Sequence, residues 1–180
     1  MSCLSSKFPR VRQLTGLALL LGVVSGCSHR SSTGNIPVSI DAGPGASCAL
    51  DGMLLADYPG PKAQLQIAGQ AAPWFFCDTV ELFHTLLDGE QALAVQAVYV
   101  QDMGVAEWTE PRGHWFDARH GFYVLGSRQF GSMGPTLASF QSEQAARAFA
   151  TTFTGKVLRY EEITADMVDL SGGARRDERM

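Results

Sequence analysis

The stretch Cys48-Ala49-Leu50-Asp51-Gly52-Met53 sets a thiol and a thioether five positions apart, in a segment with little apolar periodicity. Two chemistries fit it: soft-ion ligation by sulfur, or half of a disulfide beside a buried methionine. The methionine pattern bears on the choice. Apart from Met1 and Met180 the chain has four methionines, and three of them stand beside glycine: Gly52-Met53, Met103-Gly104 and Ser132-Met133-Gly134. A core methionine normally sits among apolar neighbours on a strand or helix, as Met167 does in ITADMVDL. Glycine beside a ligand lets the backbone come close or take unusual dihedrals, which suits a loop aiming a soft side chain at an ion. Thiolate and thioether together, with no histidine cluster, select Cu(I) over zinc, iron or calcium. Against this, Cys48 and Cys77 form an isolated pair, and in an oxidising compartment such a pair is by default a structural disulfide. Both readings stay open on residues alone.

Other chemistries find no support. Once Cys3 and Cys27 are set aside, too few cysteines remain for a four-cysteine zinc site, and His84, His114 and His120 are scattered rather than paired as in HExxH. A Gly-rich phosphate loop and a GxSxG nucleophile turn are both missing. The chain opens with a basic leader (Lys7, Arg10, Arg12), an apolar run LTGLALLLGVV and the small residues Val24-Ser25-Gly26 before Cys27. This is an export signal with an apolar core too short to span a bilayer comfortably. Its end resembles a bacterial lipobox, in which Cys27 is diacylated, residues 1–26 are removed and the new amino terminus is acylated. Three acyl chains, at ~0.8 kcal/mol per buried methylene, anchor a protein essentially permanently. Ordinary secretion with Cys27 in a disulfide is the rival. Ser28 stands where an aspartate would favour inner-membrane retention, which points to the outer membrane. Of 14 Lys+Arg and 18 Asp+Glu, three basic groups leave with the leader; 11 against 18 remain, a formal charge near −7. Nucleic acid is thereby an unsuitable partner.

These donors need elements to hold them. Residues 27–46 are rich in Ser, Gly and Pro and read as a flexible tether, and residues 171–180 as a disordered tail. Between them, AQLQIA (63–68) alternates as a half-buried strand does, and Pro73-Trp74-Phe75-Phe76 is a second short strand. Asp78-Thr79-Val80-Glu81 is a capping-box variant opening a helix with Val80, Phe83 and Leu87 on one face, stopped by Gly89. Residues 95–100 are β-rich. The order then repeats: strands at 121–126 and 136–140, a helix capped by Ser142 with Ala146, Phe149, Ala150 and Phe153 along one side, and a strand at 156–159. The expected fold is α+β, two packed ββαβ units (47–104 and 105–170) related by internal duplication, neither large enough to be stable alone. Trp74 and Trp108 read as core. Trp115, in PRGHWFDARHG, reads either as an exposed docking anchor or as part of a link between units.

The ordered set Cys48…Asp51-Gly52-Met53, Trp74-Phe75-Phe76-Cys77-Asp78, Tyr99-Val100-Gln101-Asp102-Met103-Gly104…Trp108, Tyr123-Val124-Leu125-Gly126-Ser127, Gly131-Ser132-Met133-Gly134-Pro135 and Leu137-Ala138-Ser139-Phe140 resembles the NosL family. The resemblance runs from residue 47 to about 165 and includes the lipobox. It implies a periplasmic, membrane-anchored Cu(I) chaperone that delivers copper for the copper-sulfide centre of nitrous-oxide reductase. Its partners would be the membrane ABC-type complex of that maturation machinery with its periplasmic subunit, and the apo-reductase. The implied fold is similar to organomercurial lyase. The implied ligands are Cys48 as thiolate and Met53 as thioether; a third donor is expected from the second half of the chain, Met133 first, then Met103, then His120. Leu50-Asp51 occupies the place where family members often carry a second cysteine. Cys77, just before a helix start, is either a thiolate favoured by the helix dipole or a thiol packed on Leu82. Two other classes stay in view: a metal-free lipoprotein braced by a Cys48–Cys77 disulfide, and a thiol enzyme with Asp51 or Asp102 as acid.

Overall fold

The computed structural model describes residues 36–88 and 92–170. The expected leader, Cys27, the first part of the tether, Gly89 and the expected tail lie outside the described residues. Eleven regular elements follow in order: β1 (Ala63–Ile67), β2 (Trp74–Phe76), α1 (Thr79–Leu87), β3 (Val95–Gln101), β4 (Trp115–Asp117), β5 (Phe122–Leu125), β6 (Phe130–Gly131), β7 (Gly134–Pro135), β8 (Ala138–Phe140), α2 (Glu143–Phe153) and β9 (Lys156–Arg159), with short 3-10 turns before β1, between β4 and β5, and after β9.

The strands form two antiparallel sheets and a small hairpin, so the chain is α+β. The first sheet has the order β2-β1-β3-β4, with Ala63 opposite both Phe76 and Val100, and Gln101 opposite Trp115. The second has the order β8-β5-β9, with Phe122 opposite Phe140 and Arg159. β1 and β5 are thus each flanked by the next long strand and by the strand that follows a helix. β4 extends the first sheet from beyond residue 104, and the β6–β7 hairpin is inserted between β5 and β8. The sheets meet at the end of β3, where the Met103 N–H donates to the Ser139 carbonyl (2.9 Å) and the Ser139 hydroxyl donates to the Gln101 carbonyl (2.6 Å).

Alternate apolar residues build the first core: Ala63, Leu65, Ile67, Val98 and Val100 pack with Leu82 and Phe83 of α1. A fully buried Phe or Leu contributes about 1.5–3 kcal/mol. Phe83 also meets Tyr123 edge-on, 5.0 Å between centroids, tying α1 to the second sheet. The buried face of α1 runs through Thr79, Leu82 and Phe83, whereas Val80 is only half-buried and Leu87 is 40% exposed. The expected stripe is therefore rotated. Thr79, whose hydroxyl donates to the Leu137 carbonyl, fixes which side of the helix turns inward. The face of α2 is as expected: Ala146 is fully buried in a second core with Val124, Ala138 and Phe140, and Phe149 stacks on Trp108 at 5.4 Å.

The strand β1 is not half-buried. Gln64 and Gln66 are as inaccessible as their apolar neighbours, because residues 37–41, expected as flexible tether, lie across them. The Gln64 amide both donates to the Ile40 carbonyl and accepts from the Ile40 N–H, each at 3.0 Å. Gln66 donates to the Val38 carbonyl (3.4 Å), Tyr99 to the Pro37 carbonyl (2.7 Å), and the Trp115 indole to Asp41 (2.9 Å). Buried amides need such partners. Trp115 is accordingly a half-buried clamp in β4 rather than a free anchor.

Candidate metal centre

The loop that carries Cys48 is closed on itself. Ser47 bridges Leu54, the Cys48 N–H donates to the Met53 carbonyl (2.8 Å), and the Gly52 N–H donates to the Cys48 carbonyl (2.9 Å). Gly52 takes φ +79°, a left-handed conformation that glycine adopts without strain, and Asp51 caps the turn by accepting from the Met53 N–H at 2.9 Å. This loop docks on the sheet edge: Cys48 forms a parallel bridge to Phe75, and the Ala49 N–H donates to the Phe75 carbonyl (2.7 Å). Two residues after Phe75 comes Cys77. The edge strand β2 thereby brings the two cysteines to one place.

Cys48 and Cys77 are buried free thiols, Cys48 3% exposed and Cys77 fully enclosed, so the alternative of a disulfide between them is not formed. Cys48 Sγ shares a 3.0 Å hydrogen bond with Glu81 Oε2, and that same oxygen accepts from the Cys77 N–H at 3.0 Å. The Cys77 Sγ lies 3.5 Å from the Met53 carbonyl oxygen. Asp78 alone caps α1, accepting from the Val80 N–H at 2.9 Å. Glu81, the expected second half of a capping box, is drawn one residue further back to serve the cysteines.

The four groups settle their protons unequally. The hydrogen bond from the Cys77 thiol, opposed by burial and aided by the Cys77 and Leu50 N–H groups and Glu81, lowers Cys48 to about 5. The Cys77 thiol is pushed up, because that same bond and its burial hold its proton. Burial, then the adjacent Cys48, raises the Glu81 carboxyl to about 9. Hydrogen bonding thus favours the thiolate at Cys48, while burial favours the protonated forms of Cys77 and Glu81. Lys62 lies behind this cluster, buried, its Nζ donating to the Cys77 and Pro59 carbonyls at 3.0 Å, and burial lowers its pKa.

Cys48, Asp51 and Glu81 bring one sulfur and two carboxylate oxygens within 4.8 Å of one another. A hard cation would need both carboxylates charged, and burial opposes that at Glu81. The sulfur is the soft donor of the three and suits a soft ion. Met53, half-buried beside the first core, shares the Cys48 loop.

The other expected donors separate. Met133 is 61% exposed at the tip of the β6–β7 hairpin. That hairpin is fastened to the start of α1: Asp78 accepts from the Ser132 N–H (3.2 Å) and from the Thr136 hydroxyl (2.6 Å). Gly131 is obligatory there, since a Cβ would lie 1.8 Å from Asp78 Oδ2. Burial raises Asp78 to about 6, against these hydrogen bonds. Met103 is only 8% exposed and packs in the second core with Val124, Ala138, Phe140 and Ala146, whereas Cys48 and Met53 belong to the first. Its N–H bond to Ser139 turns the side chain into that core, and Gly104 is there to clear Ala145, 3.0 Å from where its Cβ would be. His120 has a solvent-exposed side chain held 3.4 Å from Asp117 in the turn before β5. Glu81 escaped sequence reading because a glutamate three residues into a helix already has a structural explanation. The signal was the cysteine immediately before the cap.

Among the described residues, none of the helices is long and apolar enough to cross a membrane. The NosL family model matches residues 37–168. A copper-binding lipoprotein NosL of Stutzerimonas stutzeri is 36% identical over 156 residues, covering 86% of this chain and 81% of that protein. One from Achromobacter cycloclastes is 35% identical over 157 residues, covering 84% and 80%. The crystal structure of the copper chaperone NosL from Shewanella denitrificans superposes with a TM-score of 0.69 at 39% identity, over 72% of this chain and 98% of that one. With the family model spanning most of the chain and these relatives covered over most of their lengths, the protein belongs to the NosL family.

Proposed function

We propose that the chain is a periplasmic Cu(I) chaperone, anchored through acylated Cys27 in the outer membrane, that carries copper for assembly of the copper-sulfide centre of nitrous-oxide reductase. The relatives named copper-binding lipoprotein and copper chaperone support the first half of this reading. Its partners would be the ABC-type maturation complex with its periplasmic subunit, and the apo-reductase. The two similarly ordered sheets support an internal duplication of one ββαβ unit. The ion is cargo rather than a reagent, so no enzyme reaction is assigned.

The observation that carries the reading is the buried Cys48 sulfur, hydrogen-bonded to Glu81 and bordered by the Cys77 thiol and the Met53 loop. A thiolate retains Cu(I), whereas neutral thioethers from Met53 and Met133 can be exchanged one at a time for a partner's donors. Leu50 and Gly52 of the loop that carries Cys48 are exposed. Met133, exposed on a hairpin pinned next to Cys77, is the donor best suited to meet a recipient. Cys48→Ser should abolish tight Cu(I) binding in competition with a cuprous chelator under reducing conditions, with the circular-dichroism spectrum unchanged; an affinity equal to wild type excludes Cys48 as ligand and removes the reading.

A further inference from the structure

We infer that Ile36, Val38 and Ile40 form a membrane-contact row that lays the first sheet's strap against the bilayer in which the chain is anchored. The inference rests on the acylation of Cys27 proposed above. Residues 36–40 run extended with alternating exposure, and the three apolar side chains point outward, 69%, 78% and 48% exposed, while Pro37 and Ser39 turn toward the sheet. Their direction is fixed. Carbonyls of Pro37, Val38 and Ile40 are all taken by side chains of the first sheet, and Gln64 grips Ile40 at both its N–H and its carbonyl. An extended segment so held cannot turn its apolar side inward.

A row of branched apolar side chains held outward in water is unfavourable unless something covers it. Chain length says what is within reach. Ile36 follows Cys27 by nine positions, so its Cα lies no further than about 30 Å from the acylated residue. Charge agrees. The first acidic residue of the whole chain is Asp41, just past the row, and Arg30 is the sole formal charge between Cys27 and Ile36, a cation suited to headgroup phosphate. Three acyl chains supply the affinity, and the row sets the orientation.

The test uses the full chain, expressed with its leader, purified acylated and reconstituted into vesicles of phosphatidylcholine with brominated acyl chains. Tryptophan is introduced by Val38→Trp or, as a control of similar solvent exposure on α2, by Thr151→Trp. The inference expects the emission added by Val38→Trp to be quenched about twofold or more beyond that added by Thr151→Trp, as for a side chain in the headgroup–acyl boundary. Equal quenching in protein that co-sediments with the vesicles overturns the inference and leaves the anchor standing. Failure to co-sediment removes the anchor and the inference with it. A dimer of the unacylated Cys27→Ser chain that Ile36→Ser/Val38→Ser/Ile40→Ser dissociates would show a second copy on the row, and would overturn the inference in another way.

Discussion

The ionisation of Cys48 can be followed directly in the copper-free protein. The perturbation is pH, and the magnitude comes from the site: lowered from 9.0 to about 5, Cys48 is almost wholly thiolate at pH 7, while the Cys77 thiol is pushed the other way and stays protonated. Reduced protein with Cys27 acylated or replaced should therefore show about one thiolate per chain at pH 7, where two unperturbed cysteines together would show roughly 0.02. Copper and proton compete for the same sulfur, so the apparent Cu(I) affinity at pH 7 is about 100-fold higher than an unperturbed thiol would give. The sign follows: with its pKa depressed, Cys48 has no proton to shed above about 6. Its affinity should be level from about pH 6 to 8 and fall about tenfold per unit below 5. Ultraviolet thiolate absorbance reads the first quantity, and competition with a cuprous chelator across pH reads the second. A thiolate signal that appears only above about pH 8 would refute the reasoning, because it would mean that the hydrogen bonds around Cys48 do not offset its burial.

Three further outcomes follow from the same geometry. Met53→Ala should weaken Cu(I) binding measurably but less than Cys48→Ser, and an equal or larger loss would make the thioether the main anchor. Met103→Leu should leave Cu(I) affinity unchanged and cost less than about 1.5 kcal/mol by denaturant unfolding, since it swaps one core side chain for another of similar volume. Gly131→Ala should cost about 1–3 kcal/mol, because its Cβ would fall 1.8 Å from Asp78 Oδ2 and the hairpin must shift away from α1; an unchanged Tm would mean that this contact is not close in solution.

Much of this architecture can be read from local pattern. The alternation of AQLQI and the β-rich 95–100 segment locate the strands, and the Ala146, Phe149 and Phe153 spacing locates α2, because burial on one face leaves a period in the sequence. Covering segments leave none. The Gln side of β1 looks solvent-facing until residues 37–41 cross it, and a Ser/Gly/Pro-rich strap is indistinguishable from a loose tether when its partners are side-chain amides far along the chain. β4 is hidden in a Gly/Pro-flanked stretch, and the two-residue strands β6 and β7 are too short to show any period. In the site, the Cys48 loop is legible from CALDGM itself. Glycine near methionine proved ambiguous: Gly131, two positions before Met133, admits Asp78, Gly104 clears α2, and only Gly52 shapes a sulfur-bearing turn. Glu81 and Cys77 join the site through the bridge between Cys48 and Phe75, a contact across 27 positions that no spacing announces.

The central claim is that sulfur, led by the Cys48 thiolate, grips the cargo. X-ray absorption at the copper edge of the stoichiometrically Cu(I)-loaded, reduced protein counts the donors. The account predicts a shell of about two to three sulfur scatterers with no dominant nitrogen or oxygen contribution. A shell dominated by nitrogen or oxygen would contradict it.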